Sequence, residues 1–170
     1  MFAPQKGASP EQIIMLDNQL CLWSDLLKQN TGKDITQLKH GGAAGGITAA
    51  MYALLNAQLI SGSEYCLTLS RFHDNLLQAG VVITGEGKID LQSFYGKIPG
   101  TVANLCQKHN VPVYAVVGLA EKQVLTRFDK VFIMSQYTRS IQDSIKNAPH
   151  YLKIISQAIV DTLYLSAYSD

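Results

Sequence analysis

The sequence predicts an α/β protein with a Rossmann-like parallel sheet flanked by helices. Three observations carry this expectation. The runs Val81-Val82-Ile83-Thr84, Val111 to Gly118 and Val131-Phe132-Ile133-Met134 are almost wholly apolar rather than alternating, as strands covered on both faces are. Segments with helical spacing separate them, the arrangement that yields a parallel sheet. The first run stops at Gly85-Glu86-Gly87-Lys88-Ile89-Asp90, which reads as a polar loop hinged by two glycines. Ligands of α/β proteins bind outside the carboxyl ends of such strands, so chemistry is expected there.

In chain order, Phe2 to Ala8 is a short punctuated segment. Ser9-Pro10-Glu11-Gln12 is a strong helix start: serine caps, proline fits the first helical position, and glutamine completes a capping box. Ile13, Leu16, Leu20, Trp23 and Leu27 follow at helical spacing and predict one buried stripe to about Lys28. Asn30 to Lys39 is polar and loop-like. The glycine-rich turn Gly41-Gly42-Ala43-Ala44-Gly45-Gly46 then opens a small-residue, buried helix over Ile47–Leu55. Two short helices are expected at Ser63–Leu69 and Phe72–Gln78, a longer one at Pro99–His109, and two more at Thr138–Asn147 and Pro149–Tyr168.

With 170 residues, 47% hydrophobic and 16% charged, the chain can bury a real core. Net charge is +1 and Lys/Arg form no run, which argues against nucleic acid or an anionic membrane surface as partner. Cys21, Cys66 and Cys106 are widely spaced in apolar surroundings, without metal-ligand spacing, and read as buried free thiols. No apolar run nears membrane-spanning length and the first residues lack a basic-plus-apolar leader pattern, so a cytoplasmic location is expected.

The chemistry gathers after the first strand. Glu86 and Asp90 stand four apart, with Lys88 between them, and Gly96-Lys97-Ile98-Pro99 follows. Two carboxylates beside lysines can hold Mg²⁺, accept a proton or orient a hydroxyl, while the lysines neutralise phosphate oxygens. The Gly42–Gly46 turn is neither a P-loop nor a dinucleotide fingerprint, but a positive helix end with backbone N–H groups can bind an anion. Ser93 has no His/Asp partner in sight, so a hydrolase triad is rejected.

This chain resembles the type I glycerate kinase family. That family's strand-and-loop pattern stands here as Val82-Ile83-Thr84-Gly85-Glu86-Gly87-Lys88-Ile89-Asp90-Leu91-Gln92-Ser93, then Gly96-Lys97-Ile98-Pro99. Its G-A-A-G-G turn is present at Gly42–Gly46, and its F-[GA]-P-Q-K-G-A segment at Phe2–Ala8. The resemblance implies ATP-dependent phosphorylation of D-glycerate with Mg²⁺, at the 2-hydroxyl by preference. Within that reaction, the chemistry of the side chains makes Glu86, Asp90 and Lys97 the expected catalytic residues, with Glu86 and Asp90 as metal candidates. Lys6, Gly42, Gly45, Gly46, Gly85, Gly87, Lys88 and Gln92 are the phosphate- and substrate-binding candidates.

Three departures stand out. Lys88 replaces the usual arginine and loses its bidentate fork, Tyr95 replaces a histidine, and His40 leads into the turn. The family's chain is about twice as long and begins with a half that nothing here matches. The resemblance therefore implies a C-terminal fragment, with residues 1–40 from the family's middle or second domain, residues 41–170 from an incomplete Rossmann-like domain, and inactivity when alone. One alternative is a non-catalytic module that homodimerises through the sheet edge left by the absent strands. A nucleotide-binding oxidoreductase is disfavoured, because neither glycine loop fits its fingerprint.

Overall fold

Ser9 opens the first helix as its neighbours require. In the computed structural model, which describes residues 3–167, the Gln12 N–H donates to Ser9 Oγ and the Ser9 N–H donates back to Gln12 Oε1. Helix α1 runs Pro10–Thr31 and stops where Gly32 turns left-handed (φ 73°) and donates to the Lys28 carbonyl. Of the expected Phe2–Ala8 segment, Phe2 lies outside the described residues; Pro4–Lys6 forms one 3-10 turn.

The chain divides between Ser61 and Gly62 into two units. In the first, α1 is joined by α2 (Ile47–Leu55), which follows the glycine turn. The burial expected for both helices is corrected here. Leu27 is buried, but Leu16 and Leu20 are 43% and 46% exposed, and of α2 only Ala49 and Ala53 are buried. This unit has few elements with which to cover two apolar helices.

The second unit holds α3 (Gly62–Leu69), α4 (Phe72–Leu76), β1 (Val82–Ile89), α5 (Ile98–His109), β2 (Val113–Ala120) and β3 (Lys130–Ile133). Helices α6 (Ile141–Lys146) and α7 (Ala148–Ala167) close it. The three strands pair in parallel in the order β1-β2-β3. Because side chains alternate across a strand, Val113, Ala115 and Val117 face one core with Val102, Ala103 and Cys106 of α5 and Leu67 and Leu76 of α3 and α4. Tyr114 faces the other, with Met134 and with Ile155 and Ile159 of α7.

The first strand corrects the sequence reading. It does not end at Thr84; it continues through Gly85-Glu86-Gly87-Lys88 to Ile89. Gly85, and Gly118 on the neighbouring strand, are positions of close approach rather than hinges. A Cβ on Gly85 would stand 2.9 Å from the Val116 carbonyl oxygen, and one on Gly118 would stand 2.5 Å from that of Gly87. Helix α6 starts later than expected because Ser140 caps it, its hydroxyl accepting from the Asp143 N–H.

The cysteines are also corrected. Cys21 and Cys66 are exposed, and only Cys106 is buried, where desolvation, helped by the Asp129 charge, pushes its thiol up to about 11. Among the described residues no helix is long and apolar enough to cross a membrane.

Candidate functional site

Glu86 and Lys88 stand in the carboxyl half of β1, and Asp90 follows directly after its last residue. Asp90 is backbone-extended and caps the 3-10 turn Leu91–Phe94, its Oδ1 accepting from the Gln92 N–H at 2.9 Å. That turn carries Ser93 back to Glu86: the fully buried Ser93 hydroxyl accepts from the Asp90 N–H at 3.2 Å and donates to Glu86 Oε2 at 2.6 Å. Gly96 (φ 89°) then reverses the chain, and Lys97 is the N-cap residue of α5. Its Nζ reaches Glu86 Oε1 at 2.7 Å. Both oxygens of the Glu86 carboxylate are thereby engaged, at 20% side-chain exposure.

A second pair lies alongside. Lys88 Nζ is 2.9 Å from Glu121 Oε1 and 3.4 Å from Asp90 Oδ2. Glu121 follows the last residue of β2, and its N–H donates to the Ile89 carbonyl, which ties the carboxyl ends of the two strands together. Glu121 lay outside the sequence candidates. Its only signal is an acidic residue directly after an apolar strand, and its proximity to Lys88 follows from the parallel register that pairs Ile89 with Ala120.

Three carboxylates and two ammonium groups leave this cluster net negative, and both lysines are already paired. The hydrogen bond from Lys88, then that from Gln123, holds the Glu121 carboxyl below its ordinary range; hydrogen bonds to Glu121, then Asp90, hold Lys88 above its own. For a lowered carboxylate, the stabilisation is present above its unfolded value and is lost as pH falls through the folded one. For the raised lysine it is present below the unfolded value and lost as pH rises through the folded one. Glu121→Gln is therefore expected to flatten both limbs of a Tm-versus-pH profile relative to the parent chain, which thermal unfolding at stepped pH measures.

The structure brings Glu86, Lys88, Asp90, Gln92 and Lys97 into one region. Gln92 holds an orphan there: its Oε1 is buried without a hydrogen-bond partner, a state that native proteins rarely leave unexplained. Gly85 and Gly87 belong to the strand backbone. Beside them a groove of about 830 Å³ opens between the strands and α7, with Ile83, Val116 and Ile155 among its walls. Lys6, Gly42, Gly45 and Gly46 belong to the first unit. There Ala44, Gly45 and Gly46 are left-handed in succession (φ 51°, 72° and 99°), and Thr48 Oγ1 lies 2.9 Å from the carbonyl oxygens of both His40 and Gly41.

Fold and site together define an α/β protein with a charged site at the carboxyl ends of adjacent parallel strands, where this architecture places its ligands. Comparison makes that class specific. The glycerate kinase family model matches residues 1–164. Glycerate 2-kinase of Escherichia coli K12 is 42% identical over 118 residues, 69% of this chain and 31% of that protein. Glycerate kinase of Haemophilus influenzae is 34% identical over 167 residues, 96% of this chain and 44% of that one. A crystal structure assigned to glycerate kinase 2 of Salmonella typhimurium LT2 superposes with a TM-score of 0.62 at 36% identity, over 98% of this chain and 44% of that chain. The chain belongs to the glycerate kinase family, and it spans less than half the length of these relatives.

Proposed function

We propose that this chain carries part of the active site for phosphoryl transfer from ATP to a hydroxyl of D-glycerate, giving phosphoglycerate and ADP. The observation that carries the reading is the Glu86–Ser93–Lys97 network at the carboxyl end of β1, in a chain of this family. Phosphoryl transfer asks the protein for positioning and charge compensation more than for covalent chemistry. In this reading Glu86 or Asp90 takes the proton from the attacking hydroxyl as its oxygen bonds to phosphorus and the bond to ADP breaks. Lys97 and Lys88 shift from their carboxylates toward the glycerate carboxylate and the transferred phosphoryl oxygens. The buried orphan Gln92 Oε1 supports a hydroxyl donor arriving at this spot. The name of the Escherichia coli relative supports the 2-hydroxyl as acceptor.

Among the described residues no three His, Cys, Asp or Glu side chains gather as a metal cage. Mg²⁺ in such sites is held by one or two carboxylates plus substrate phosphates and water, and the negative cluster suits that arrangement. Glu86 and Asp90 are the residues that would hold it, and it would supply charge neutralisation at the phosphates. We assign the Gly42, Gly45 and Gly46 turn and Lys6, in the first unit, to anion binding, with the run of left-handed backbone as support. Gly87, where a Cβ would meet nothing within 4 Å, leaves room for substrate against β1, while Gly85 lets β2 approach.

The test supplies ATP, Mg²⁺ and D-glycerate to the chain alone and with a separately made polypeptide spanning the portion of a relative that this chain does not match. Phosphoglycerate is expected only when both are present. Its absence in both arms, with each polypeptide folded, would contradict the reading.

A second reading has its own observation. Strand β1 is an edge of the sheet, and Ile83, Ile145 and Leu152 beside it are 52%, 73% and 43% exposed. Unpaired edges with apolar surroundings template pairing with another chain. Self-association is expected at tens of micromolar, and Ile83→Lys is expected to reduce it. Sedimentation of the parent chain as a monomer throughout that range would remove this reading.

A further inference from the structure

We propose that Ser93 is the positioning residue of the site: its hydroxyl fixes Glu86 in the one orientation that presents Oε1 to Lys97 and to substrate. The inference rests on the kinase reading above and goes beyond it by giving the Ser93 hydroxyl its own task. The geometry is specific. Ser93 is fully buried, so its hydroxyl is shielded from competing water. A hydroxyl has one proton to give. It accepts from the Asp90 N–H at 3.2 Å, which leaves that proton for Glu86 Oε2 at 2.6 Å. One oxygen thus reaches both carboxylate-bearing residues of the motif and sets the direction of the first.

Ser93 is itself held from three sides. A Cβ on Gly100 would stand 2.2 Å from the Ser93 carbonyl oxygen, so the first turn of α5 presses on this peptide with no space between. The next residue, Phe94, packs its ring 6.0 Å from that of Phe128, and the Arg127 guanidinium carbon stands over the Phe94 ring, 4.7 Å from its centroid. Asp90 caps the turn from the front. A group locked in this way by packing transmits its position to whatever it hydrogen-bonds, which is how a supporting residue preorganises a site. Without the hydroxyl, Glu86 keeps only Lys97 as a partner among the described residues and is free to rotate about it.

The test uses the chain with carbon-detected NMR of the Glu86 side-chain carboxylate. Ser93→Ala is expected to move the Glu86 carboxylate resonance while resonances of β3 and α7 stay in place, and Ser93→Thr, which keeps a hydroxyl, is expected to restore it in large part. Affinity for D-glycerate with MgATP should fall about tenfold in the alanine variant, as loss of a hydrogen bond to a charged group predicts. Should the alanine variant unfold, Glu86→Ala serves instead: a slowly exchanging Ser93 hydroxyl proton in the parent should be lost in it. An unmoved Glu86 resonance in Ser93→Ala, or an unchanged Ser93 hydroxyl in Glu86→Ala, would overturn the positioning role whatever the substrates do. A parent chain that ignores both substrates would instead count against the kinase reading, with the carboxylate resonance still deciding the role of Ser93.

Discussion

Replacing Gly100 with alanine is expected to destabilise the second unit by about 3 kcal/mol or more, at the upper end of overpacking and beyond the usual range of point substitutions. The added methyl would stand 2.2 Å from the Ser93 carbonyl oxygen, 2.7 Å from the Phe94 Cα and 2.8 Å from the Ser93 carbonyl carbon. All three atoms are backbone, so no rotamer change relieves the overlap. Either α5 lifts or the Leu91–Phe94 turn moves, and both movements disturb the core built on Val102, Ala103 and Cys106. Gly62 is the control, since a Cβ there meets nothing within 4 Å and its alanine variant should change stability by less than about 1 kcal/mol. Urea unfolding followed by circular dichroism compares the two.

The second large effect is on function. Lys97→Met removes the ammonium from Glu86 while keeping most of the side chain's bulk. The pair is partly exposed, at 39% and 20% for its two side chains, so its loss should cost stability no more than about 1 kcal/mol. The cost to substrate should be far larger, because a charge-assisted contact to a carboxylate or phosphate is lost outright. Affinity for D-glycerate is expected to fall at least about tenfold. Glu86→Gln keeps the shape and removes the proton acceptor, so turnover in the two-polypeptide assay should fall by about 10² to 10⁴ with a smaller change in affinity. A variant pair that lost stability and affinity in step would argue for a scaffolding role instead.

Much of this was legible in the residues. The serine–proline–glutamine start of α1 was, because capping is local chemistry; so was the sheet, because apolar runs between helical segments have few other solutions. The charged residues around Glu86 were legible as a set, as was the family, from collinear motifs. What was misread depends on neighbours distant in sequence. Gly85 looks like a hinge until the parallel register shows the Val116 carbonyl oxygen where its Cβ atom would be. Glu121 could not be linked to Lys88 before that register was known, since 33 residues separate them. Ser93 stood inside the recognised motif, yet its use became visible only when the Leu91–Phe94 turn folded it back under Glu86. The exposed stripes of α1 and α2 carry the periodicity of buried helices, and periodicity says which face is apolar without saying what covers it.

The central claim is that the Glu86–Lys97 region binds the substrates of phosphoryl transfer. It is tested most directly by following backbone amide resonances of the chain while MgATP and then D-glycerate are added. Saturable shifts at Glu86–Lys97 and Glu121 that are abolished in Lys97→Met are the predicted result. A folded chain whose resonances in that region do not respond, or respond equally in Lys97→Met, would contradict it.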